Sequence, residues 1–149
     1  MALIDTMRDF LFDPDWGFAQ GPTESSLVTH YEGQNGHFVA VLSVHEEQTQ
    51  LVFYAFAPEL TPAEHLTAMM ELLTRANHGM LIGNFELDLD DGEVRYKVSV
   101  DVEGIADPTA CVKNHLAACI STLDHYLAAI IAVQKGESNA LDALTSVEG

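Results

Sequence analysis

Residues 81–101, LIGNFELDLDDGEVRYKVSVD, read as two alternating strands around an Asp91-Gly92 turn. With Asp91 and Gly92 as a two-residue loop, Leu89 faces Val94, Leu87 faces Tyr96 and Phe85 faces Val98, while Asp88 faces Arg95 and Glu86 faces Lys97. One side of this hairpin is then apolar and suited to a core. The other is a solvated ladder of opposite charges. A slip of one residue would mix the two sides, so the pattern specifies the register.

Upstream, Ser26 to Tyr31, His37 to His45 and Gln50 to Ala57 read as three further strands, separated by the turns EGQNG and EEQT. The second and third are apolar on both faces, which predicts a place in mid-sheet or under another layer. Leu3, Met7, Phe10 and Leu11 recur at helical spacing and stop at Asp13-Pro14, where the proline disfavours helix in the residue before it. A second helix is announced by Thr61 as N-cap, Pro62 at its first position, Glu64 completing a capping box and Gly79 beyond its end. Asp107 and Pro108 open a third helix, which closes before Gly136. Its apolar residues Val112, Leu116, Cys119, Leu123, Tyr126, Ile130 and Val133 form a heptad stripe that Ile120, Leu127 and Ile131 widen, suiting a helix laid across a sheet or shared between subunits. The predicted order is helix, three strands, helix, two strands, long helix: an α+β fold with an antiparallel sheet. The tail, 137–149, is expected to add one weak turn and fray.

The chain has 149 residues, 48% of them hydrophobic, with 23 acidic and 6 basic side chains for a formal net charge of −17. Such a balance opposes binding to phosphate backbones or anionic lipid, which argues against a nucleic-acid or membrane partner. No run approaches the roughly 20 consecutive apolar residues of a membrane span, and Asp5, Arg8 and Asp9 interrupt the N-terminus where a signal peptide would be apolar. A cytoplasmic location is expected. Cys111 and Cys119 lie eight residues apart on one helix, about 12 Å along its axis. That is too far for a disulfide, and both read as small buried residues.

The helix ending ELLTRANHG (71–79), the hairpin NFELDLDDGEVRYKVSVDVEG (84–104) and the final helix ending DHYLAAIIAVQKGES (124–138) resemble the YbjN-domain family, whose fold is similar to the type III secretion chaperones. The resemblance spans roughly residues 25–140. It implies a single YbjN-like domain over 1–149, with its core at about 25–136, in a small acidic protein that is commonly dimeric. A regulatory or protein-binding role, without a known active site, goes with it.

No catalytic signature supports an enzyme. The seven histidines include no HExxH and no cluster at ligand spacing, and His37 and His45 close the two ends of one strand, about 26 Å apart. Asp88, Asp90 and Asp91 before Gly92 resemble a calcium loop, but the glycine comes one position early and Ser99 stands where the bidentate acid belongs. His115 with Asp124 or His125 would need a third partner from elsewhere to act as an acid–base pair. There is no GxSxG, P-loop or GxGxxG.

The leading expectation is a non-enzymatic protein-interaction or regulatory module without cofactor or metal. It is expected to be a homodimer with a possible protein client laid along a sheet edge or apolar helix face. Leu66, Met69, Met70 and Leu73, one stripe of the second helix, are the residues predicted for self-association. One alternative is a small-molecule-binding or hydrolytic domain in which His30, Tyr31 and Asp107 converge on the concave sheet face. Another is a secretion chaperone proper, dedicated to one client.

Overall fold

The structure, a computed structural model, describes residues 1–149. Helix α1 (Leu3–Leu11) is followed by a two-residue strand β1 (Ala19–Gln20) and by β2 (Ser26–Glu32), β3 (His37–His45) and β4 (Gln50–Phe56). Then come α2 (Leu66–Asn77), β5 (Asn84–Leu87), β6 (Val94–Asp101), α3 (Thr109–Gln134) and α4 (Ala140–Glu148). All pairings are antiparallel, in the order β1-β2-β3-β4-β6-β5. Chain order is broken once: the path from β4 runs through α2 to the edge strand β5, and β6 returns to pair with β4. The expected α+β order of helix, three strands, helix, two strands and long helix is therefore present, with β1 and α4 added to it.

Alternation along the strands explains where the core lies. Phe38, Ala40, Leu42 and Val44 of β3, Leu51, Phe53 and Ala55 of β4, and Val94, Tyr96 and Val98 of β6 are buried. All but Ala40 share one apolar cluster with Met7 and Leu11 of α1 and with Val112, Leu116, Cys119, Leu123, Ile130 and Val133 of the stripe expected on α3; Tyr126, the remaining member of that stripe, is half-buried and packs against the cluster. By length and composition alone α3 could cross a membrane, a property the sequence reading did not register because Lys113, Asn114, Asp124 and His125 interrupt its apolar runs. Here its apolar stripe is buried against the sheet.

Two carboxylates fasten distant segments. The N–H groups of Leu3 and Ile4 donate to the Glu46 carboxylate at 3.1 and 2.7 Å, so the turn between β3 and β4 caps the first turn of α1. Asp124 of α3 accepts from the N–H groups of Gln34 and Asn35 at 3.0 and 2.9 Å, holding the turn between β2 and β3.

The β5–β6 hairpin departs from the expected register by two residues. Phe85 faces Tyr96, Glu86 faces Arg95 and Leu87 faces Val94. Instead of a two-residue Asp91-Gly92 turn, residues 88–93 form a longer loop. The physical reason is local: Asp88 accepts from the Asp90 N–H at 2.8 Å and Asp91 from the Glu93 N–H at 2.9 Å, so these side chains build turns with their own backbone. A shift of two conserves the faces, but it moves Leu89 out of the strand into solvent and Asp88 off the charged ladder.

The start of α2 also differs. Residues Ala63–His65 form a 3-10 turn and the α-helix begins at Leu66. Thr61 does not cap it, because its N–H donates to the Gly92 carbonyl at 2.8 Å and its buried hydroxyl accepts from Gln134 Nε2 at 3.3 Å. The start of α3 is shifted by one residue from the expectation: the helix begins at Thr109 with Pro108, not Asp107, at its N-cap, while Asp107 just before it accepts from the Thr109 N–H and hydroxyl, bonds that hold its carboxyl below the usual range. The tail does not fray. Asn139 accepts from the Asp142 N–H at 2.8 Å, and Ala140, Ala143 and Leu144 of α4 are buried, in contact with both α2 and α3.

Candidate docking face on the open side of the sheet

The side of the sheet turned away from the helices is apolar too. Register places Val28, Val41 and Tyr54 in one row, and His30, Val39 and Phe56 in the next, with Val52 on the far side of Tyr54. Val28, Val39, Val41, Val52, Tyr54 and Phe56 are all half-buried, yet none belongs to the core cluster or packs against it. Neighbouring strands shield them from the side and nothing covers them from above. With strands about 4.8 Å apart and residues about 3.3 Å apart, the band covers roughly 300 Å². Contiguous patches of this size on a soluble chain are often functional.

The band ends against a charged corner. Arg95 Nε donates to Glu86 Oε1 at 2.7 Å, Lys97 Nζ lies 3.1 Å from Glu86 Oε2, and the Arg95 guanidinium sits 4.4 Å over the Tyr54 ring. Partial burial pushes the Glu86 carboxyl up, but the bonds from Lys97 and Arg95 outweigh it and the net shift is downward. Only one strand separates this corner from the valines of β3.

At the other end, a cavity of about 590 Å³ opens beside the band, lined by His30, Tyr31, Glu32, His37, Val39 and Phe56 among others. His37 Nε2 lies 3.4 Å from Glu32 Oε1, with both side chains largely in water. Beyond β1, which pairs only with Leu27 and Val28, the outer edge of β2 from His30 to Glu32 has no strand neighbour. The opposite edge is closed at Phe85, whose N–H donates to Asn77 Oδ1 at 2.6 Å and whose carbonyl accepts from Asn77 Nδ2 at 3.1 Å.

The residues predicted for self-association fall differently. Met69 and Leu73 are buried in the core at 0% and 4% exposure, so they are not available to a partner, whereas Leu66 is half-buried and Met70 is 46% exposed. The inner half of the α2 stripe is taken up within the chain itself, where Met69 and Leu73 pack in the core. His30 and Tyr31 do border one cavity, but Asp107 is held at the start of α3 and does not line it. Asp124 is engaged by the β2–β3 turn and His115 Nδ1 lies 2.7 Å from the Cys111 carbonyl, so these two form no acid–base pair. No group of three or more His, Cys, Asp or Glu side chains is placed to hold a metal ion. Burial pushes the Cys119 thiol up to about 12. The signal for the open face was present in the sequence as strands apolar on both sides, and Arg95 over Tyr54 is the feature that sequence reading missed.

A six-stranded antiparallel sheet covered by helices on one side and open on the other has the fold of the type III secretion chaperones. The chain is similar to a chain of the ExsC–ExsE complex at 15% identity and a TM-score of 0.60, covering 85% of this chain and 95% of that one. It is similar to E. coli YbjN at 19% identity and 0.59, covering 83% and 92%, and to a chain of the HopA1–SchA chaperone–effector complex at 17% and 0.50, covering 85% and 90%. Residues 4–132 match the model of the YbjN family, described as "Putative bacterial sensory transduction regulator", and the chain belongs to that family. A sequence comparison with curated proteins gives no match.

Proposed function

We propose that this protein is a non-enzymatic, cytoplasmic protein-interaction module that holds a polypeptide client on the open face of its sheet. The observation that carries the reading is the uncovered band of Val39, Val41, Val52, Tyr54 and Phe56, which stays apart from the core. Two similar folds come from complexes, one of them a chaperone with its effector, which supports a client of the same kind here. The open edge of β2 offers an extended segment backbone partners beside this band. A net charge of −17 disfavours nucleic acid as the target.

A homodimer is part of the same proposal, but the open band is too small to sustain it alone. A stable interface buries about 800 Å² per partner, against roughly 300 Å² here. Self-association is assigned instead to the surface of α2 around Leu66 and Met70. Size-exclusion chromatography with light scattering checks this: Met70→Asp should shift the protein toward monomer, and an unchanged dimer would rule that surface out.

Native mass spectrometry of the protein from its own host tests the client. A bound polypeptide should appear and should be lost from a Val41→Asp, Tyr54→Asp double variant that remains folded. A reproducible small-molecule adduct would favour the cavity at His30 and Tyr31 as a ligand site and overturn the proposal.

A further inference from the structure

We infer that the loop 78–83 and the outer side of α3 form a self-association surface, on which a second copy of this chain seats its Leu81 in a cavity beside α3. This adds a face to the proposed homodimer and does not depend on the α2 contact around Leu66 and Met70.

Leu81 is 97% exposed and Ile82 47%, at the tip of the connection between α2 and β5. The tip is held on both sides. The Met80 N–H donates to the Asn77 carbonyl at 3.1 Å, the Met80 side chain packs against the core, and the buried Tyr96 donates its hydroxyl to the Ile82 carbonyl. Leu81 is thus kept in water by a fixed backbone, so a partner that buries it gains apolar contact with little ordering of the loop to offset it.

Beside this projection lies a recess. A cavity of about 420 Å³ opens between the loop and α3, lined by Met80, Ser121, Thr122, His125 and Tyr126. Ala117, Ser121, His125 and Ala128 of α3 are exposed along one side of the helix, and all but His125 are small, so a partner can approach closely. A two-fold pair needs one patch that is complementary to itself. A projecting leucine adjoining an open cavity meets that condition, because a two-fold axis between them puts each Leu81 into the cavity of the other copy.

Charge selects the same face. Two copies of net charge −17 repel, and the repulsion is least where acids are fewest. Residues 72–85 and 108–123 are the two longest stretches of the chain without aspartate or glutamate, and each carries one base, Arg75 and Lys113. These stretches meet at the cavity through Met80, Ser121 and Thr122. The acids at its margins are engaged within the chain: Glu71 by Arg75, Asp107 by Thr109, Asp124 by the N–H groups of Gln34 and Asn35, and Glu148 by the Tyr126 hydroxyl. From Lys113 to Ala128 the helix runs about 24 Å, and with the loop beside it the face is about 20 Å across, roughly 500 Å². Two copies would bury roughly 1,000 Å², the lower bound for a specific interface, so the pairing is reversible and shows at high protein concentration.

Sedimentation velocity in 150 mM salt, between about 10 μM and about 500 μM protein, tests this. The wild-type species should double its mass across that range, and Leu81→Asp and Ser121→Arg should each abolish the doubling; both positions are exposed, and circular dichroism should match the wild type. Mixing the two variants should restore it, because one unaltered Leu81 then meets one unaltered cavity while the introduced carboxylate faces the introduced guanidinium. Met70→Asp should keep the doubling, starting from a smaller species. No doubling in the wild type, doubling that survives Leu81→Asp, or a mixture that does not recover it overturns the inference. Loss of the doubling in Met70→Asp but not in Leu81→Asp overturns it too and leaves the α2 contact standing.

Discussion

Replacing Gly92 by alanine should destabilise the protein far more than replacing Gly79, although both glycines have nearly the same φ. Their φ angles are +83° and +87°, in the region where an L side chain is strained, and that strain alone costs about 1–2 kcal/mol. At Gly79 a new Cβ would meet nothing within 4 Å. At Gly92 it would lie 2.1 Å from the Thr61 carbonyl oxygen and 2.8 Å from the Thr61 nitrogen, both main-chain atoms that cannot swing aside. Forcing the β4–α2 linker outward adds about 1–3 kcal/mol of overpacking. It also endangers the Thr61 N–H to Gly92 carbonyl bond, worth about 1 kcal/mol. Gly92→Ala should thus cost about 3–6 kcal/mol against about 1–2 for Gly79→Ala. Urea unfolding, followed by far-ultraviolet circular dichroism and by Trp16 emission, reads the difference. With a slope of about 2 kcal/mol per molar, the midpoint should fall by roughly 1.5–3 M for Gly92→Ala and by roughly 0.5–1 M for Gly79→Ala. Equal midpoints for the two variants would refute the argument, because they would mean the loop can leave Thr61 without cost.

Other outcomes follow from burial and charge. Met69→Asp should unfold the protein rather than merely dissociate it, since Met69 is fully buried and an unpaired carboxylate there costs several kcal/mol; a cooperative thermal transition near the wild-type temperature would contradict the packing of α2. In thiol labelling with an aromatic disulfide, Cys111, which is partly accessible, should react in the native state, while Cys119, buried and with its thiol pushed up to about 12, should wait for denaturant. Native labelling of both would contradict the placement of α3. The Glu86 carboxyl is lowered on folding, so its contribution is present above the unfolded carboxylate range and is lost as the pH falls through the folded value. Glu86→Gln should accordingly flatten the acid limb of the stability profile between about pH 5 and 3, and an unchanged acid limb would mean that the Arg95 and Lys97 contacts are not kept in solution.

The sequence made α3 legible because its stripe, its Asp107-Pro108 start and its Gly136 end agree to within a residue, and Gly136 does take a left-handed turn after Lys135. Strand positions were equally plain, with β3 observed over the residues read for it. What failed were signals with two physical uses. Thr61-Pro62 with Glu64 looks like a capping box, yet the Thr61 hydroxyl and N–H are claimed by Gln134 and Gly92, partners more than 30 residues away that no local pattern shows. The Met69 stripe looks the same whether a helix packs inward or onto a neighbour, and α4, read as a fraying tail, lies against α2. The open face was half legible: β3 and β4 were seen to be apolar on both sides, but a pattern of valines does not say whether a layer lies above them. The Arg95–Tyr54 contact joins strands that sit side by side only because β5 lies at the sheet edge, a topological fact absent from periodicity.

The β5–β6 connection keeps its length and the strand register separate. Phe85 pairs with Tyr96, Glu86 with Arg95 and Leu87 with Val94 outside the loop, so residues can be gained or lost at its tip without moving either face. A slip of the pairing by one residue is another matter, because it would turn one strand over and carry Glu86 to the core side. Relatives are therefore expected to vary freely in the length of this loop while the alternation on both flanking strands stays in step, which makes the alternation, and not the length, the mark of a preserved sheet.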